Sequence, residues 1–202
     1  MNKADDNAWL EAWTQVTLFY GIIFLPISSG LFAAFVCRTE HLSGGWKLQF
    51  SLPIPKKTIY LSKLFIVLAF ILMMQIILIA FFLIGGLINI DSTIPWSFLL
   101  SAVILSWVGT FTLATVQLWL SFKIKSFGIP LGINVILSLL VFAAYSFRAG
   151  MFYPWAQLAF AISSTDESPV DSMPIFTLVI TITFLLSFVV STYTFSKSEL
   201  KC

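Results

Sequence analysis

Charge is what this chain most lacks: 10% of its 202 residues are Asp, Glu, Lys or Arg, while 59% are hydrophobic. A water-soluble domain carries roughly 25% charged residues. Eleven basic and nine acidic side chains cannot cover a soluble globule of this length. A soluble enzyme, a nucleic-acid binder and a disordered segment are thereby excluded. Histidine occurs once, as His41, outside the long apolar runs. A His-Glu-x-x-His zinc site and an intramembrane Ser–His dyad therefore cannot be built. Cysteine occurs twice, as Cys37 and Cys202; both are expected to face a reducing compartment, so no disulfide is expected. The terminal Cys202 lacks the three following residues of a prenylation box. No metal, cofactor or catalytic residue is assigned.

What is present, with 21 Phe and seven Trp, is apolar sequence in long uncharged stretches. Ala12 to Cys37, Leu64 to Ile90, Ser92 to Phe122, Ser126 to Phe147 and Ser172 to Ser196 contain no Asp, Glu, Lys or Arg. A helix needs about 20 apolar residues to cross a hydrocarbon core of about 30 Å, and a mid-membrane charge costs roughly 2.5–3.5 kcal/mol. The stretches predict five transmembrane helices with cores near residues 16–36, 64–88, 98–120, 129–145 and 175–193. Barrel strands would alternate apolar and polar residues, which these do not. The chain reads as one all-α integral membrane domain spanning 1–202.

A shorter uncharged stretch, Ala149 to Thr165, holds Gly150 and the run Met151-Phe152-Tyr153-Pro154-Trp155. It predicts a re-entrant or interfacial extracellular helix, with Tyr153 and Trp155 at headgroup level. Nine of the eleven basic residues fall on one side: Arg38, Lys47, Lys56, Lys57, Lys63, Lys123, Lys125, Lys197 and Lys201. The other side has Lys3 and Arg148 with Asp5, Asp6, Glu11, Asp91, Asp166, Glu167 and Asp171. Basic loops stay in the cytoplasm, so the expected topology is N-terminus out, C-terminus in.

Ala102, Ser106, Thr110 and Ala114 recur every fourth residue, a small-residue stripe suited to close helix approach within a subunit or between subunits. Pro26 is expected to kink the first span, eased by Ser28, Ser29 and Gly30. Gln75, Gln117 and Asn134 are the strongest polar side chains within spans. They suit interhelical hydrogen bonds or a translocation path. No ionisable group falls within a span core, which argues against an ion-driven transporter and most intramembrane hydrolases.

The loop from Arg38 to Lys63 is the most structured-looking. Gly44 and Gly45 punctuate it, Trp46 to Leu52 mixes aromatic, aliphatic and polar residues, and Pro53 and Pro55 end that run. Such an element can lie on the membrane or in a partner's groove. Its order, Glu40, Gly44, Gly45, Trp46, Ser51, Leu52, Pro53, Lys56 and Lys63, resembles that of type-2 ABC exporter permeases. In those permeases a Glu follows the second span, then come a Gly-rich turn, a short coupling helix, a Ser-Leu-Pro with a basic residue, and a Lys opening the third span. The tract from Trp46 to Lys56 and the Pro154-Trp155 pair are similar to the subgroup protecting bacteria from lantibiotics and bacitracin-like peptides.

The resemblance implies a multi-pass permease of the bacterial plasma membrane working with a separate ABC ATPase subunit. No Gly-x-x-x-x-Gly-Lys-Ser/Thr occurs here, so ATP and Mg²⁺ would sit on that partner. It further implies a second permease copy or a paralogue, no nucleic acid, and an amphipathic peptide substrate drawn from the bilayer. Trp46, Leu48, Phe50 and Leu52 would give the ATPase apolar contact, and Glu40 and Lys47 charge pairing. Family permeases usually have six spans, and the first span here matches their second. A preceding helix is therefore expected upstream or from a partner chain. The alternative reading is a non-transporting scaffold or sensor that recruits a cytoplasmic partner through residues 38–63.

Overall fold

The computed structural model describes residues 3–144, 148–163 and 172–197, except for the side chains of 3–7, 148 and 149. Tyr145, Asp166, Glu167, Asp171, Lys201 and Cys202, and the side chains of Lys3, Asp5, Asp6 and Arg148, lie outside these. Helix α1 (Lys3–Phe19), a π-helical turn (Tyr20–Phe24) and α2 (Leu25–Ser43) form one continuous first rod. There follow α3 (Gly45–Ser51), α4 (Lys56–Asn89), α5 (Trp96–Lys123), α6 (Gly128–Leu139) and α7 (Val141–Ala144). A 3-10 turn (Arg148–Phe152), α8 (Pro154–Ile162) and α9 (Met173–Lys197) complete the order. No strand occurs among the described residues, as expected where each segment must satisfy its own backbone groups in lipid. The protein is an all-α membrane protein.

Four helices are long and apolar enough to span: Ala8–Ser43, Lys56–Asn89, Trp96–Lys123 and Met173–Lys197. The segment expected as a span over 129–145 is different. Gly128–Ala144 is a shorter apolar helix, about 25 Å at 1.5 Å per residue. It breaks at Leu140, whose carbonyl takes the N–H groups of both Ala143 and Ala144 at 3.1 Å.

The first rod carries a π turn just before Pro26. Proline has no N–H, and its ring pushes away the carbonyl four residues back. The rod answers with one extra residue in a turn: the Leu25 N–H bonds to the Tyr20 carbonyl, five back. The Pro26 carbonyl then accepts the Asn134 Nδ2 at 2.6 Å. Gly30 makes this possible, since a Cβ there would overlap the Asn134 amide. Asn134 Oδ1 in turn accepts the Trp155 indole N–H at 2.7 Å. One amide thus joins α2, α6 and α8.

That junction seats Trp155 inside the bundle. Every residue from Trp155 to Ile162 is buried, and α8 packs chiefly on α5. Tyr153 Oη bonds to the Leu137 carbonyl at 2.6 Å, while the Ile162 carbonyl accepts Trp13 Nε1 at 2.8 Å. Helix α8 therefore starts beside the C-terminal half of α6 and ends beside α1. An indole N–H needs a partner wherever it is buried, and here the bundle supplies it.

Helix α5 is the centre, packed by α2, α4, α8 and α9. The stripe residues Ala102, Ser106, Thr110 and Ala114 are all buried, and Gly109 lets the Leu158 backbone approach. The stripe serves packing within the chain. Helices α4 and α9 instead turn most of their surface outward, with Phe65, Phe81, Ile88, Leu186 and Val189 exposed, as lipid-facing helices do.

Candidate coupling site on the 38–63 loop

The site begins at a glycine. Gly44 has φ +67°, the only positive φ among the described residues, and it both ends α2 and starts α3. A side chain would be strained there, so the resulting sharp turn favours glycine. Leu52, before Pro53, is extended at φ −72° and ψ 148°, as the proline ring demands of its predecessor. Helix α3 is thus cut to seven residues and folded back against the ends of α2, α4 and α5.

A polar knot and an aromatic cluster hold it there. Lys63 Nζ donates to Glu40 Oε1, forming an ion pair with side chains only 9% and 12% exposed. It also donates to the Val36 carbonyl at 3.0 Å. Gln49 Nε2 reaches the same Glu40 oxygen at 3.0 Å, and Thr39 Oγ1 the other at 2.8 Å. The knot therefore ties α2, α3 and α4 through one carboxylate. Above it the Lys63 ammonium lies 5.0 Å from the Trp46 ring centroid. Trp46 is 4% exposed. Its ring meets Phe122 edge-on at 4.9 Å and Phe195 at 6.0 Å. Phe50 joins the same cluster, 5.7 Å from Phe195.

His41 completes the lock. Its Nε2 lies 2.8 Å from the Ser121 carbonyl, which can only accept, so Nε2 carries the proton. Its Nδ1 then accepts the Trp46 indole N–H at 3.2 Å. One neutral tautomer satisfies both contacts. From sequence His41 served only to exclude chemistry. Its spacing of five residues from Trp46 across a glycine turn was the available signal. Phe122 and Phe195 were likewise missed, since aromatic residues in spans read only as lipid-facing or core, and Gln49 because an amide in a loop has no marked partner in the sequence.

The structure divides the expected loop residues into two faces. Trp46 and Glu40 point inward, which corrects their assignment as direct partner contacts, and Lys63 points inward with them. Lys47, Leu48, Ser51, Leu52 and Pro53 are exposed, Leu48 at 68%. Lys56 lies over the Phe50 ring at 5.0 Å. A groove of about 400 Å³ runs beside the knot, bordered by Gln49, Leu52, Ile54 and Thr58.

The in-span polar residues lie elsewhere. Gln75 Nε2 donates to Ser106 Oγ at 3.1 Å. Gln117 is fully buried, and neither amide atom has a partner among the described residues. A hydroxyl seam unmarked in the sequence joins Gln157 to Thr183 at 3.0 Å and Thr115 to Ser187 at 2.8 Å.

A family model described as ABC-2 family transporter protein matches residues 1–141, the whole α2–α3–α4 unit included. Neither the curated proteins nor the solved structures gave a match. The chain belongs to the ABC-2 transporter family. It is a multi-pass cell-membrane permease of an ABC transporter, and permeases of this family generally work with an ABC ATPase subunit.

Proposed function

We propose that this permease belongs to an exporter that expels an amphipathic antimicrobial peptide, of lantibiotic or bacitracin-like type, from the membrane. A separate ATPase subunit drives it. The observation that carries the coupling half of this reading is the rigid seating of α3. Its inner face is fixed to α2, α4, α5 and α9, while Leu48 and Leu52 on its outer face are exposed. A short helix so clamped transmits a push to the spans instead of swivelling. Nucleotide-driven closure of the ATPase against α3 would then tilt α2 and α4 together through the Glu40–Lys63 pair. The peptide half rests on the likeness of the Trp46–Lys56 tract, and the ATPase carries the ATP and Mg²⁺.

Leu48→Asp tests the docking face without touching the clamp. Exposed, Leu48 contributes nothing to the core, so thermal stability and membrane abundance should match the parent. Burying a carboxylate in an apolar interface should weaken ATPase co-purification by at least about thirtyfold, the scale of an interface anchor, and abolish peptide protection. Full co-purification and full protection would show that the outer face of α3 is not where the ATPase docks.

A further inference from the structure

At the end of the bundle opposite the 38–63 loop, the first rod and α4 part to leave a groove of about 550 Å³, within the size range of small-ligand sites. Its floor is fixed by aromatic packing. Trp9 lies against Gly86, where a Cβ would overlap the indole ring, and Trp9 and Trp13 meet Phe82 edge-on at 5.6 and 5.0 Å. Glu11 and Gln15, one helical turn apart, stand on the neighbouring face of α1 and border the groove with Asn89. Asn89 donates its Nδ2 to the Gly85 carbonyl at 2.8 Å, so its Oδ1 remains to accept. The Glu11 carboxylate has no ion pair or hydrogen bond among the described residues. Every described Lys and Arg side chain lies at the other end of the bundle, and Asp91 adds a second negative charge at this one.

The groove is polar at one end and apolar at the other. Helices α1 and α4 run antiparallel, so Glu11 and Asn89 stand together nearer the helix tips, while Val16 and Phe81 line the deeper part. Val16 is 44% exposed and Phe81 72%, so this part opens sideways into lipid. An unpaired carboxylate with amide oxygens beside it selects a cation that carries N–H groups. The apolar part selects a ligand already dissolved in the bilayer. A phospholipid headgroup would set its phosphate beside Glu11 and Asp91, which repel it. We infer that the groove docks a cationic amphipathic peptide, its ammonium or guanidinium group against Glu11 and its apolar side chains over Gly85, between Val16 and Phe81. This docking site rests on the export function proposed above, and adds to it the place where the peptide leaves the leaflet remote from the 38–63 loop.

Photolabelling tests this, with the purified full chain in phosphatidylcholine nanodiscs and a benzophenone-bearing leucine–lysine peptide as probe. The parent should be labelled mainly within residues 8–16 and 81–90. Glu11→Gln should lower the yield about fivefold, and acetylating the lysines of the probe should do the same. Gly85→Leu should lower it about tenfold by filling the groove. A Cβ there meets no atom within 4 Å, and leucine is the better helix former, so the fold is kept. Val189→Leu, on the outward surface of α9, should label as the parent does. Labelling spread evenly over α4 and α9, undiminished labelling of both groove variants, or equal labelling by the acetylated probe would each overturn the site. Loss in Gly85→Leu alone would make the groove an acyl-chain seat and overturn it equally. Groove labelling in a parent that gives cells no peptide protection would support the site and overturn the export reading alone.

Discussion

Trp46→Ala should free α3 from the bundle while leaving the spans inserted. The side chain is 4% exposed and touches His41, Phe50, Phe122 and Phe195. Truncating a buried Trp costs roughly 3–5 kcal/mol. A seven-residue helix cannot persist on its own, so the loss falls on α3 and not on the long apolar helices. Trypsin reaches Lys47, Lys56 and Lys57 only when this segment opens. Cleavage there in membrane vesicles should accelerate on the order of a hundredfold, with loss of ATPase association and normal membrane abundance. Trp46→Phe keeps most of the ring packing and surrenders only the bond to His41, so its cleavage should stay close to the parent's. Unchanged cleavage of Trp46→Ala would mean that α3 is held by something other than this cluster.

Lys63→Met should be nearly as damaging, for an electrostatic reason. It leaves the Glu40 carboxylate, 12% exposed, with only Thr39 and Gln49 as donors, and strips the Val36 carbonyl of the Lys63 ammonium. Removing one partner of a buried pair costs roughly 3–5 kcal/mol, whereas replacing both by uncharged groups is often close to neutral. Adding Glu40→Gln to Lys63→Met should therefore restore much of the thermal stability in detergent. It should not restore transport if the pair is what transmits motion between α2 and α4. Losses that simply add in the double variant would show that the two side chains do not act as a pair.

The sequence carried the membrane class and most of the spans because charge in hydrocarbon is costly enough that its absence marks the helices. It carried the irregular turn ahead of Pro26 and the turn at Gly44 because both follow from local backbone chemistry. The inward face of the loop was not legible. Trp46, Glu40 and Lys63 are residue types that suit an interface or a core equally, and only the fold-back at Gly44 decides which face each takes. Helix α8 was ambiguous for the same reason: nine residues, all apolar but Gln157, do not say which neighbours they pack against. Asn134 anchors it, through a bond to Pro26, 108 residues away, and one to Trp155, 21 residues away. The break at Leu140 had no sequence mark, since neither Pro nor Gly stands there.

The most direct test of the account is site-specific photocrosslinking from positions 48 and 52 in native host membranes, with the captured protein identified by mass spectrometry. Both positions should capture a nucleotide-binding ATPase subunit, and a probe at Ile84, on the outward surface of α4, should not. Capture of no ATPase at 48 and 52, or equal capture at 84, would contradict the assignment of α3 as the coupling element.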